Sequence, residues 1–265
     1  MSSRLAAIAR ETVEIVDRGS YIAPSGADVR IVEQVAAAVS GTRLHLPDEP
    51  LPPPAGAAAP PRVTVTNETS LDAARRLGGD LACLNFASAK NAGGGFLRGA
   101  RAQEEDLTRA SALYHALRSA AEFYAFHRAQ HDLRYSDRII YSPGVPVFRD
   151  DRGALLEQPY PLSFLTVAAP NAAAIRTSTP ELIDTVPAAV RSRVARVLDV
   201  AAAHGHRRLI LGAWGCGVFG NDPALVADAF AGALADRPYF DEVTFAVLDR
   251  QPGTPTHAAF AARFS

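Results

Sequence analysis

Residues 81–107 read LACLNFASAKNAGGGFLRGARAQEEDL. The apolar stretch Leu81 to Ala87 fits a buried strand. Gly93, Gly94 and Gly95 then make a turn, and seven residues later Gln103, Glu104 and Glu105 open an apolar-periodic segment. Strand, glycine turn and helix in that order are the repeating unit of an α/β sheet. Backbone without side chains can touch a ligand's oxygens, and carboxylates can supply or remove a proton. Glu104, Glu105 and Asp106 also have a plainer use, since acids in a first helical turn favour its positive end by about 0.3–1 kcal/mol.

A second glycine-rich segment, GAWGCGVFGN over residues 212–221, lies between an expected strand at Arg208 to Gly212 and an expected helix at Pro223 to Leu234. Strand ends and helix starts present free amides there, and Gly215, Gly217 and Gly220 would let that backbone approach a diphosphate. The same glycines also suit a tight strand-to-helix turn that needs positive φ. Cys216 reads either as a small residue filling that turn or as a thiol activated by loop amides.

Around these two loops the pattern alternates. A helix is expected over Ser3 to Val16, extended pieces around Tyr21 and Val29, and a helix over Val32 to Val39. The proline- and alanine-rich stretch Pro47 to Pro61 suits neither helix nor sheet, which divides an N-terminal helical extension packed on the core (1–61) from the main domain (62–265). The main domain then reads strand Val63 to Asn67, helix Leu71 to Leu77, strand Leu81 to Ala87 and one long helix from Glu104 to His127. Short strands are expected at Ile139 to Ser142 and Val145 to Phe148, and a buried strand at Leu162 to Ala169. After a polar connection come helix Ala188 to His204, the strand and helix flanking the second loop, and strand Val243 to Val247. The whole predicts an α/β fold, a three-layer sandwich.

The chain has 265 residues, 48% of them hydrophobic, which is enough for a full core. Its formal net charge is −1, so no global field attracts a long polyanion, and phosphate recognition must come from local geometry. Sequence-specific nucleic-acid binding is not expected. Arginine carries nearly all the basic charge, Lys90 being the only lysine. Cys83 and Cys216 are the only cysteines, which argues against a disulfide framework and for a reducing cytoplasm. No apolar run reaches membrane-spanning length, and no membrane partner is expected. His204 and His206 flank a glycine at a helix end, where histidine commonly serves as a capping charge. His127 and His131 lie four apart without an acid or thiol to complete a ligand set, so no metal is expected.

Asn91-Ala-Gly-Gly-Gly, seven residues, Gln103-Glu104-Glu105, and then Leu107 to Tyr114 resemble the signature of poly(ADP-ribose) glycohydrolases of the shorter, bacterial type. Leu84 to Lys90 and Leu211 to Asn221 resemble the same family in the expected order, so the likeness runs along nearly the whole chain. The resemblance implies a macrodomain fold with an ADP-ribose cleft at the sheet's end, and no cofactor. It implies hydrolysis of ribose–ribose O-glycosidic bonds in ADP-ribose polymer, at chain ends, with ADP-ribose as product. By the same resemblance Glu105 is the general acid/base, Glu104 and Asn91 hold the ribose beside the scissile bond, and Gly93 to Gly95 with Gln103 belong to the site. Gly215, Cys216, Gly217, Val218, Phe219 and Gly220 form the diphosphate loop. Phe219 either positions that ribose or plugs the core behind the turn. Protonation of Glu105 near neutrality calls for a raised pKa, from an apolar wall and from the charge of Glu104. Two other readings use the same cleft: a hydrolase of single ADP-ribose units on protein or nucleic acid, and a module that binds ADP-ribose without cleaving it.

Overall fold

The computed structural model describes residues 2–54 and 59–265. Of the expected linker, residues 55–58 lie outside the described residues. The N-terminal part holds α1 (Ser3–Arg18), a hairpin of β1 (Ser20–Ile22) and β2 (Asp28–Arg30), α2 (Val32–Gly41) and β3 (Arg43–His45). There follow β4 (Arg62–Thr66), α3 (Ser70–Leu77), β5 (Ala82–Phe86), α4 (Gln103–Ala110), α5 (Leu113–Ser119), α6 (Ala121–Ala129), β6 (Ile139–Arg149) and β7 (Leu155–Val167). The chain continues through α7 (Ala172–Ser178), α8 (Val186–Ala203), β8 (Arg208–Leu211), α9 (Pro223–Ala235), β9 (Glu242–Ala246) and α10 (Pro255–Phe264).

Seven strands form one mixed sheet in the order β3-β6-β7-β5-β8-β9-β4. The block from β7 to β4 is parallel, and β3 and β6 extend it antiparallel. Strand alternation sorts apolar side chains to two faces. Cys83 and Phe164 join the core that includes Leu113 and Phe123, while their neighbours Leu84 and Leu165 join the core of Val194, Leu198 and Phe245. The result is the three-layer sandwich expected from the alternation, with the mixed sheet between helices of the macrodomain-like fold that the resemblance implies. Because β5 and β8 are adjacent, the loops after them emerge side by side although far apart in sequence. That is the carboxyl edge of the parallel block, where α/β sheets bind ligands.

The N-terminal part is continuous with this body. β3 pairs with β6 as an edge strand, Leu44 opposite Ile140, and Tyr21, Val29 and Ile31 are buried in the same core as Phe148. Sequence alone missed β3, a three-residue edge strand whose stability comes from its partner.

Other differences have tertiary causes. The single helix expected from Glu104 to His127 is three, α4, α5 and α6. Its first break lies at Ser111, whose backbone is extended and bridges Val147 of β6, while the Ala112 amide donates to Pro146 O. The Ser111 hydroxyl donates to Leu107 O (2.7 Å) and accepts from the Leu113 amide (3.2 Å), so the interruption is hydrogen-bonded throughout. No glycine or proline marks it in the sequence. β6, conversely, runs unbroken through Pro143 and Gly144, where a bulge absorbs them. β7 begins seven residues before the expected strand, and the polar connection contains α7 and a short 3₁₀ turn at Pro180–Thr185.

Candidate active site

At the carboxyl edge of the parallel block a cavity of about 620 Å³ opens between the two glycine loops, a size suited to a small organic ligand. Gln103, Glu104 and Glu105 line one wall, and Gly215, Cys216, Gly217, Val218 and Phe219 the other. Gly93, Gly94 and Gly95 stand behind the carboxylates, Gly220 closes the second loop, and Asn91 is exposed in the turn with its carbonyl accepting from the Gly94 amide.

Each member of the Gln103-Glu104-Glu105 run is held differently. Gln103 staples α4 to β5: its Oε1 accepts from the Phe86 amide (2.9 Å), and its Nε2 donates to Leu84 O (2.7 Å) and Ser70 Oγ (3.1 Å). Glu104 is buried. Its Oε2 accepts from the Ser88 amide (2.7 Å), Asn85 Nδ2 lies 3.4 Å from Oε1, and the Gly93 amide also donates to it. Glu105 is less buried and accepts the Gly95 amide at Oε1 (2.9 Å).

Burial pushes the Glu104 carboxyl up to about 8, with the neighbouring Glu105 adding to the shift against the hydrogen bonds it accepts. A helix-end acid serving only the dipole would be held ionised, so that plainer reading does not account for Glu104.

Gly94 explains why the glycine run has no side chains. With φ at +58° it adopts left-handed backbone, and a Cβ there would run into the Glu105 carboxyl and lie 3.2 Å from Glu104 Oε2. The first loop therefore directs amides at its own carboxylates. The second is built otherwise. Asn221 donates Nδ2 to Gly215 O (3.0 Å) and Pro170 O (2.8 Å), and the Gly220 amide closes on Gly217 O (2.9 Å). Among the described residues, the amides of Gly217, Val218 and Phe219 donate to no protein acceptor. Val218 is 88% exposed, and nothing lies within 4 Å of a Cβ built on Gly217. Three successive amides without a protein acceptor are the kind of group that can receive an anion.

Phe219 lines the cavity and also packs with the core cluster beside α7, 6.1 Å from the Tyr135 ring, so the positioning and plugging readings describe one side chain. Burial raises the Cys216 thiol to about 12, which removes the activated-thiol reading. The helix-end histidines are not capping charges. His204 stacks on Tyr141 (centroids 3.6 Å apart), meets His45 at 2.9 Å and is pushed down to about 4 by burial, so it is neutral. His127 is buried on α6 and bonded to Phe123 O and Ser136, whereas His131 lies beyond the helix, so the two share no face. Among the described residues no group of three His, Cys, Asp or Glu side chains is placed to hold a metal.

Sequence reasoning missed much of the cavity wall: Glu68 to Leu71 between β4 and α3, Asp151 in the β6–β7 turn, Val247 to Asp249 after β9, and Thr256. Asp151 is lifted to about 6, chiefly by burial and then by nearby Asp72 and Asp106. These residues converge only through the strand order, and their local sequence is that of ordinary turns and helix caps.

A three-layer α/β sandwich with paired carboxyls and an amide cradle at its carboxyl edge defines a macrodomain-type nucleotide-sugar site. The profile described as "Microbial-type PARG, catalytic domain" matches residues 9–150, more than half of the chain. The crystal structure of poly(ADP-ribose) glycohydrolase from Thermomonospora curvata is 55% identical, covers 99% of this chain and 100% of its own, and has a TM-score of 0.93. The same organism's enzyme bound to the inhibitor ADP-HPD gives 53% identity over 99% and 100% of the two chains, with a TM-score of 0.90. The Deinococcus radiodurans enzyme in complex with ADP-ribose is 46% identical over 89% and 99%, with a TM-score of 0.82. Among curated proteins, none matches. The chain belongs to the microbial-type PARG catalytic-domain family.

Proposed function

We propose that this chain hydrolyses ribose–ribose O-glycosidic bonds of poly(ADP-ribose) and releases ADP-ribose from chain ends. The observation that carries the reading is the pairing of two buried-edge carboxyls, Glu104 and Glu105, with an open amide cradle across one cavity. The Gly217–Phe219 amides take the diphosphate, and Glu104, mostly protonated, holds the ribose beside the scissile bond. Glu105 donates a proton to the departing sugar oxygen as the anomeric C–O bond breaks through an oxocarbenium-like state. The resulting carboxylate then removes a proton from the water that attacks the anomeric carbon. Intact carboxyls distinguish this from a module that only binds ADP-ribose.

The test is Glu105→Gln. Release of ADP-ribose from polymer should fall by about a thousandfold or more, with ADP-ribose binding within a few fold. Retained turnover would remove Glu105 from the chemistry.

In the same reading residues 1–61 are an extension of a 62–265 catalytic domain, and the substrates are ADP-ribose polymer or ADP-ribosylated macromolecules, without membrane association or sequence-specific nucleic-acid binding. The unpaired cysteines Cys83 and Cys216 support a cytoplasmic location. Cell fractionation tests it, and recovery from an oxidising compartment would overturn it.

A further inference from the structure

Two tethers run from α1 to the loop that leads into the catalytic carboxyls of α4, and neither Ser2 nor Thr12 belongs to the motifs read from the sequence. The first is backbone: the Ser2 amide donates to Gly99 O (3.0 Å). Gly99 has φ at +75°, and a Cβ there would collide with Ser2 O, so α1 sits directly on the end of the loop. The second passes through Thr12, which is 1% exposed. Its hydroxyl donates to Arg109 O (2.7 Å) and accepts from Arg149 Nε (3.0 Å). Arg109, also buried and paired with Asp106, donates NH1 to Ala100 O (2.7 Å).

Both tethers therefore end at Gly99 and Ala100. From there the Ala100 amide reaches back to Gly95 O (3.2 Å), and the Gly95 amide holds Glu105 Oε1 (2.9 Å). The Thr12 hydrogen bonds are buried and those to Ala100 and Glu105 part-buried, a connected path along which displacement can pass, and a misplacement of about 1 Å at a reacting group can cost about a hundredfold in rate. The second glycine loop stands outside this path, since α1 makes no hydrogen bond to residues 212–221 among the described residues.

We infer that α1 is a positioning element for the catalytic loop, with Thr12 as its positioning residue, and that it sets turnover without setting ADP-ribose affinity. The inference rests on the role proposed for Glu105. It makes the N-terminal extension part of the catalytic apparatus.

The experiment compares Thr12→Val, which keeps the shape and deletes both hydrogen bonds, with Thr12→Ser, which keeps the hydroxyl. Polymer turnover, ADP-ribose affinity and Gly95 amide hydrogen exchange are read on each folded full-length protein. Thr12→Val should lower kcat by about tenfold, leave the ADP-ribose Kd within about twofold and speed Gly95 exchange, and Thr12→Ser should restore all three towards the parent. Gly99→Ala, which presses on the other tether, should act in the same direction and serves if Thr12→Val does not fold. Unchanged kcat and Gly95 exchange would overturn the inference, as would a loss appearing equally in Kd. Gly95 exchange is read without substrate, so failure of the Glu105 chemistry would leave that readout intact.

Discussion

The two glycine loops leave neighbouring strands at the same edge of the sheet, and both use glycines in left-handed backbone, Gly93, Gly94 and Gly99 in the first and Gly215 and Gly220 in the second. Their amides nevertheless have opposite destinations. In the first, the Gly93 and Gly95 amides bind Glu104 and Glu105, and Gly94 is packed so closely against both carboxyls that no side chain fits. In the second, internal hydrogen bonds stop at Asn221 and Gly220, leaving the amides of Gly217 to Phe219, which line the cavity, without a protein acceptor among the described residues. Crowding inside the protein requires glycine at Gly94 in the first loop and at Gly215 in the second, whereas a Cβ on Gly217 would meet nothing within 4 Å. In the proposed function the first loop positions the acid and the second receives the anion.

The largest expected effect that would break this comparison comes from Gly94→Ala. A methyl group on left-handed backbone costs about 1–2 kcal/mol, and here it must also displace the Glu105 carboxyl. Turnover should fall by about a hundredfold, with a smaller change in ADP-ribose affinity. Steady-state kinetics beside a binding titration checks this, and a loss confined to affinity would mean that the first loop also contacts the nucleotide.

A smaller effect follows from pH. Burial raises the Glu104 carboxyl to about 8, so ionisation as pH rises through that value places a negative charge beside Glu105. The kcat should decline severalfold between about pH 7 and pH 9, while the Kd for ADP-ribose, governed by amides that do not titrate, changes less. A pH series of both quantities sharpens the division of labour, and a kcat flat to pH 9 would contradict the state assigned to Glu104.

The parts of this arrangement that were legible in the sequence were those encoded locally. Leu81 to Ala87 gave the strand of β5, the two glycine segments gave the loops, and Gln103 to Glu105 marked the helix start, because each is a short pattern whose physics acts within a few residues. What was not legible depends on distant partners. The break at Ser111 exists because β6 pairs with it, β3 exists because β6 lends it an edge, and Asp151 enters the cavity because a hairpin folds over. Chemistry was likewise only half visible. Three adjacent residues with polar side chains look alike in a string, yet Gln103 is a staple, Glu104 a buried carboxyl and Glu105 a less buried one, distinctions set by what surrounds each one.

The most direct measurement is a calorimetric titration of ADP-ribose into Gly217→Val and Glu105→Gln side by side. A side chain at Gly217 meets no protein atom within 4 Å, so any change it causes reports on the ligand. The account predicts that Gly217→Val weakens binding by about tenfold or more, and that Glu105→Gln leaves it within a few fold while polymer cleavage is lost. Unchanged affinity in Gly217→Val, with binding lost in Glu105→Gln, would contradict the assignment of anion recognition to the second loop and proton transfer to the first.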